Sequence, residues 1–325
     1  MKPVFVNDDQ IENFENDHTI FSKIDISQSQ INELKEISFS DEILYKTQWV
    51  FFPWSRQLLK TLDEISLKAL RTNRNKNLIT ESEQEILYNS TIALAGLSVG
   101  SGLAIELQYS GIANNLVLAE SDMIETINLN RMKAKLRDVG IKKLDYVLKE
   151  IYELNPYAHI TSFSEGVNED NIDDFLKLSG AQIIIEIIDD YVSKVRLRLK
   201  ARDLGIPVIS FANLGDSVLV DVERYDIDKS LPLFNGVLGD LPEDILKHPE
   251  KIDKFYAVKL VGKNNVPQRA LDSVEEIGKT LIGRPQLSST VAISSALGAY
   301  ISRNILLGDT SIKGRHLVKF DSFFK

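Results

Sequence analysis

The chain has 325 residues, 43% hydrophobic and 26% charged, the composition of a soluble globular protein with room for one large α/β domain plus an appendage. A formal net charge of -9 argues against broad electrostatic binding to nucleic acid or to an anionic membrane. Cysteine is absent, which removes disulfides, thiolate nucleophiles and cysteine-based zinc sites, and the histidines (His18, His159, His248, His316) offer no i, i+4 pair for a metal.

No apolar run approaches the ~20 residues of a membrane span. The opening MKPVFVNDDQ lacks the basic-then-apolar order of a signal peptide, so a cytoplasmic location is expected. Residues 1–88 read as a mainly helical N-terminal segment. Short helical pieces are expected around Ile31–Leu34 and Asp41–Leu44. A helical stripe is expected over Trp54–Leu70, on Leu58, Leu59, Leu62, Ile65, Leu67 and Leu70. Thr80 and Glu83 have capping-box spacing for a further helix. The cluster Trp49-Val50-Phe51-Phe52-Pro53-Trp54 reads as an aromatic plug docking this segment on the rest of the chain, with a binding surface as the alternative.

From Thr91 to about Phe211 apolar strands alternate with helices. Strands are expected at 91–97, 116–120, 159–163, 182–187 and 207–211, and helices at 101–110, 142–154, 169–178 and 190–204. Such alternation predicts a doubly wound, Rossmann-like α/β fold with a mainly parallel sheet. Ser217–Glu223 and Leu317–Phe320 are expected as antiparallel edge strands. Residues 227–285 are polar, irregular and rich in proline, and Gln286–Leu307 reads as a long helix carrying small side chains. One domain is therefore expected over 89–325, with 227–285 as its substrate or crossover region.

The chemistry concentrates after the first parallel strand. Gly96-Leu97-Ser98-Val99-Gly100-Ser101-Gly102 is a strand-to-helix loop of the kind that sets backbone N–H groups against phosphates. Glu120, about twenty residues on, sits where a ribose hydroxyl is gripped. Asn128-Leu129-Asn130-Arg131 follows, and an ordinary dinucleotide site has no need of it. Glu186, inside an apolar strand, must be either paired or close to the site.

Together with Arg71-Thr72-Asn73-Arg74, Glu120-Ser121-Asp122, Val139-Gly140-Ile141-Lys142-Lys143, Leu154-Asn155-Pro156 and Ile188-Asp189-Asp190, these motifs resemble the ThiF/MoeB/HesA superfamily, the bacterial relatives of ubiquitin-activating enzymes, over about residues 71–325. The loop Gly-Leu-Ser-Val-Gly, Pro53-Trp54 and Asp221-Val222-Glu223-Arg224-Tyr225 look like a subgroup sometimes fused to a nitroreductase-like domain. The resemblance implies Mg-ATP-dependent adenylation of a carboxylate, with pyrophosphate as leaving group. It implies Gly96, Ser98, Gly100, Glu120, Asp122, Asn128, Arg131 and Lys143 at the nucleotide, and Asp189 on Mg²⁺. Asp190 would then cap the following helix. Arg74, or Arg71 three residues away, would be an arginine finger, in these families often from the partner subunit. A homodimer is implied, and the small side chains of 286–307 fit a close helix contact.

Two departures matter. Ser98 stands where the family often has Gly, and the chain has no thiol to receive an acyl group. An acyl-adenylate formed here passes to another molecule or is dehydrated in place; a peptide, a small carrier protein or a tRNA-linked acid could supply the carboxylate. Three rivals remain. An NAD(P)-binding Rossmann oxidoreductase shares the loop and Glu120 but has no use for Arg131, Lys143 and Asp189. A non-catalytic partner protein would keep only the fold. An α/β-hydrolase reading of Gly96–Gly100 lacks a well-placed histidine.

Overall fold

The computed structural model describes residues 1–37, 45–178, 180–239, 241, 243–251 and 254–324. The expected helical piece at Asp41–Leu44 lies outside them.

Eleven strands are described: β1 Val4–Val6, β2 Ser22–Asp25, β3 Thr47–Phe52, β4 Gln57–Leu62, β5 Thr91–Ala95, β6 Asn115–Ala119, β7 His159–Phe163, β8 Ile183–Glu186, β9 Val208–Asn213, β10 Ser217–Glu223 and β11 Gly314–Lys319. The α-helices are α1 Ile11–Asp17, α2 Ser27–Ile37, α3 Glu64–Arg71, α4 Glu81–Asn89, α5 Gly100–Tyr109, α6 Lys143–Leu154, α7 Tyr191–Leu204, α8 Glu243–Lys247, α9 Lys254–Val261, α10 Gln268–Asp272 and α11 Ser288–Leu306.

The main sheet runs in the order β11-β10-β9-β8-β5-β6-β7. The five strands β9 to β7 are parallel, and β10 is antiparallel to both β9 and β11. Alternate side chains of β5 enter opposite layers. Ile92 and Leu94 join one core with Leu103, Val147 and Ile301, while Ala93 and Ala95 join the other with Val195, Leu197 and Phe234. Burial on both faces explains the continuous apolar runs of these strands. The helix expected over 169–178 is shorter, spanning 172–178.

Residues 1–88 contain the expected capping box, with the Glu83 N–H donating to Thr80 Oγ1 at 3.3 Å and the Thr80 N–H to Glu83 Oε2 at 2.8 Å. They also contain a four-stranded sheet, β1-β3-β4-β2, where a mainly helical segment was expected. The stripe read over Trp54–Leu70 divides into β4 and α3. Leu58 and Leu62 are four residues apart, a spacing that satisfies both a strand face and a helix turn, and Pro53 opens a turn that folds β4 back on β3. Part of the aromatic cluster docks this segment: Trp49 and Phe51 pack inside it with Val6 and Leu58, while Trp54 reaches the rest of the chain. Trp49 to Phe52 are buried, the Trp54 indole N–H donates to Glu153 Oε1 of α6 at 2.5 Å, and its ring lies 6.3 Å from that of Tyr152.

The small face of α11 is used inside the chain. Thr290, Ser294, Ser295, Ala299 and Ser302 are buried against the domain. A Cβ added at Gly298 would come within 2.6 Å of the Leu103 side chain, and one at Gly102 within 2.7 Å of Ser295 Oγ, so each glycine makes room for a side chain of the facing helix. Ser288, Ser289, Ala292 and Ala296 of the same helix stay exposed, so only part of the stripe is used inside the chain.

Candidate active site

Gly96 ends β5 with φ +93°, and a Cβ there would stand 2.3 Å from the carbonyl oxygen of Ile187. Only glycine lets the loop lie against the end of β8. The loop is pinned from the other side by Glu120. One carboxylate oxygen accepts from the Leu97 N–H at 2.7 Å, and the other from the N–H groups of Ser121 and Asp122, both at 2.9 Å. Asp122 in turn holds the Lys143 ammonium at 2.8 Å. Lys143 is buried at the start of α6, beside the acid clamp and away from the cavity described next.

A cavity of about 330 Å³ opens on the β8–β9 side of the loop. Ser98, Arg131 and Asp189 all border it, so three of the residues singled out in the sequence converge there. Gly96, Gly100, Glu120, Asp122 and Asn128 stand outside its lining. Asn128 is buried and closes the turn before Arg131, its side-chain oxygen accepting from the Glu125 N–H at 3.0 Å. The Arg131 guanidinium donates to Ile127 O and Asn130 Oδ1, leaving its buried Nε–H without a partner. Burial pulls its pKa below the ordinary arginine value, offset only in part by the carboxylates of Asp189 and Glu125. A donor left unpaired on a cavity rim is poised for an anion.

Asp189 is exposed and pairs with Arg284 at 2.6 Å, while Asp190 caps α7 through the Ser193 N–H at 2.7 Å. Among the described residues no group of three or more His, Cys, Asp or Glu side chains could hold a metal. A single exposed carboxylate, freed from Arg284, nevertheless suits Mg²⁺, which takes one or two carboxylates and completes its shell with phosphate oxygens and water. Arg74 is exposed on a 3₁₀ turn and does not line the cavity. Arg71 is the inward one, but it serves the fold by donating to Gln108 O at 2.6 Å.

Sequence reasoning missed Lys194, Arg198, Ser210, Asp221, Arg284 and Gln286, all on the cavity lining. Lys194 and Arg198 lie one helical turn apart on α7. Glu186 accepts from Lys194 at 2.6 Å and from Arg198 at 2.8 Å, and Arg198 reaches on to Glu223 at 2.6 Å. Burial alone would raise the Glu186 pKa, but the two cations more than reverse this and hold it below the ordinary carboxylate value. Asp221 meets Arg315 at 3.2 Å and Asn235 at 3.1 Å, and burial keeps its carboxyl above its usual value. The legible signal was three carboxylates, Glu186, Asp221 and Glu223, inside apolar strands, since buried charges demand partners.

Residues 71–220 match the ThiF family. The chain is 34% identical over 269 residues to the protein called Uncharacterized protein MT1398 of Mycobacterium tuberculosis, covering 82% of this chain and 37% of that one. It is 29% identical over 157 residues to the tRNA threonylcarbamoyladenosine dehydratase of Bacillus subtilis, covering 48% of this chain and 60% of that enzyme. It thus spans less than two thirds of either relative's length. Among solved structures, PaaA superposes with a TM-score of 0.54 at 18% identity, covering 90% of this chain and 78% of PaaA. The Escherichia coli tRNA N6-threonylcarbamoyladenosine dehydratase bound to AMP gives 0.54 at 18% identity, covering 75% of this chain and 96% of the enzyme. At these identities the structures speak for a shared fold alone.

Proposed function

Because the match over residues 71–220 places this chain in the ThiF family of the ThiF/MoeB superfamily, we propose that it is a Mg-ATP-dependent adenylyltransferase that activates a carboxylate as its acyl-adenylate without a cysteine of its own. The observation carrying this reading is the convergence of Ser98, Arg131 and Asp189 at the mouth of one cavity, at the carboxyl ends of adjacent strands β5 and β8. Ligands of open α/β sheets bind at such ends.

The strand order distributes the labour. Glu120, at the end of β6, faces the nucleoside side, and its Oε2 accepts a single backbone bond, leaving a lone pair for a ribose hydroxyl. The phosphates lie over the loop after β5. The acyl substrate enters the cavity beyond β8, with its carboxylate toward Arg131. A carboxylate oxygen bonds to the α-phosphorus while the bond from that phosphorus to the bridging oxygen breaks, and pyrophosphate leaves. Arg131 donates to the charge that develops there, and the catalysis is alignment and electrostatics. Asp189 would hold Mg²⁺, which supplies neutralising charge on the phosphates. Lys143 pairs with Asp122, whose N–H donates to the clamp acid Glu120, and in this reading it adds fixed positive charge on the nucleotide side.

The functional unit in this reading is a cytoplasmic homodimer in which Arg74 of one protomer serves the site of the other. Exposure of Arg74, and its place off the cavity of its own chain, support that assignment. Carboxylate-dependent exchange of labelled pyrophosphate into ATP is the test. Arg131→Ala and Asp189→Ala each reduce it at least a hundredfold, as expected for lost transition-state donors, with circular dichroism unchanged. Wild-type turnover in both variants removes the mechanism.

A further inference from the structure

Resting on that adenylation reading, we infer that the carboxylate belongs to an N-acylated amino acid with a bulky apolar side chain, either free or as the last residue of a peptide. The cavity is small for a ligand site, at the low end of the usual roughly 300–1,000 Å³, so it admits about one residue. The cover contributes Leu260, Val261, Val266, Leu271, Val274 and Ile277, and the sheet side adds Phe211, Leu214, Leu219 and Phe234.

Three charged groups of the lining are already engaged. Lys194 and Arg198 are neutralised by Glu186 and Glu223, and Asp221 by Arg315. A polar side chain directed at these three would find them already paired and would be left without a partner, while Ser98, Tyr191 and Lys263 border the cavity elsewhere. Two lining residues at the mouth differ from this. Arg131 Nε is a buried donor and Gln286 Oε1 a buried acceptor, and neither has a hydrogen-bond partner in the chain. The donor suits a carboxylate. The acceptor suits an N–H close to that carboxylate, as an N-acylated amino acid provides. Asn130 fixes this arrangement by donating to Gln286 O at 2.9 Å, which ties the residue after Pro285 to the motif that carries Arg131. Apolar walls, one anion-seeking donor and one N–H-seeking acceptor together describe a single amino-acid residue at its carboxyl end.

The test is pyrophosphate exchange with N-acetyl-leucine, N-acetyl-glycine, N-acetyl-aspartate and 4-methylpentanoate, which is the leucine derivative without its N–H, after calorimetry of Mg·ATP. A tetrapeptide ending in leucine separates the peptide source from the free acid. The expected result is a kcat/KM for N-acetyl-leucine at least tenfold above N-acetyl-glycine and N-acetyl-aspartate, in line with roughly 10–200-fold per methylene in an apolar pocket. It also exceeds 4-methylpentanoate, and Gln286→Ala erases that last difference. Ala270→Phe, which narrows the cavity, turns the preference toward N-acetyl-glycine, an outcome a merely structural role would not give. Bound Mg·ATP with glycine or aspartate preferred, no discrimination, or no exchange with any of the five acids overturns the inference and leaves the nucleotide reading standing. Failure to bind Mg·ATP sinks both.

Discussion

Gly96 shows how much can depend on one missing methyl group. Its φ of +93° already disfavours a side chain, and the Ile187 carbonyl leaves no room for one. Gly96→Ala should cost about 2–4 kcal/mol, combining left-handed strain with overpacking. Chemical denaturation measures this directly, and a change under 1 kcal/mol would mean that the loop relaxes freely. The same scale explains why Glu120 was legible and Gln286 was not. An acid at a strand end about twenty residues past a glycine loop is a pattern in one dimension. A glutamine between a proline and a leucine has meaning only when folding ties it to Asn130 and sets it on the same cavity lining as Arg131.

At the scale of elements, the parallel strands and their helices were readable because two-sided burial writes an apolar run and the crossovers write a helical stripe. The N-terminal sheet was not. β1 and β2 are three and four residues long, too short for a period to show. The cavity cover was missed for another reason: its apolar residues are spread over short helices and turns between Lys254 and Ile277, and no regular spacing marks them. The β8–α7–β10 charge network carries its own prediction. Because the Glu186 pKa is depressed in the folded state, its ionised form stabilises the fold above the unfolded value near 4.5, and that contribution is lost as pH falls through the lower native value. Glu186→Gln therefore lowers stability at neutral pH by about 3–5 kcal/mol, having stripped two buried cations of a partner, and flattens the decline below pH 4.5. Denaturant melts across the acid range check it; an acid slope equal to wild type would refute the assignment.

For the whole molecule, the question is how the N-terminal segment and the α/β domain act together. Their junction is aromatic and polar at once: Trp54 against Tyr152 and Glu153, Phe5 stacked on Tyr157 at 5.2 Å, and Glu64 accepting from Asn114 at 3.3 Å. Trp54→Ala should loosen this seam without harming the sheet. Limited proteolysis then cuts faster within residues 1–62 while the fragment from 89 onward persists. Equal protection of both parts would show that the seam does not depend on the indole.

The turn between β8 and α7 is clasped on every side. Ile187 O faces Gly96, the Ile188 N–H donates to Glu186 at 2.9 Å, and Asp190 ties down the first turn of α7. Asp189 thus projects from an anvil, whereas Arg284 approaches it on the exposed run between Gly283 and Pro285. Whatever arrives between those two charges, the hammer side must yield. Specificity can then drift through changes in that pliable half while the reactive half keeps its shape.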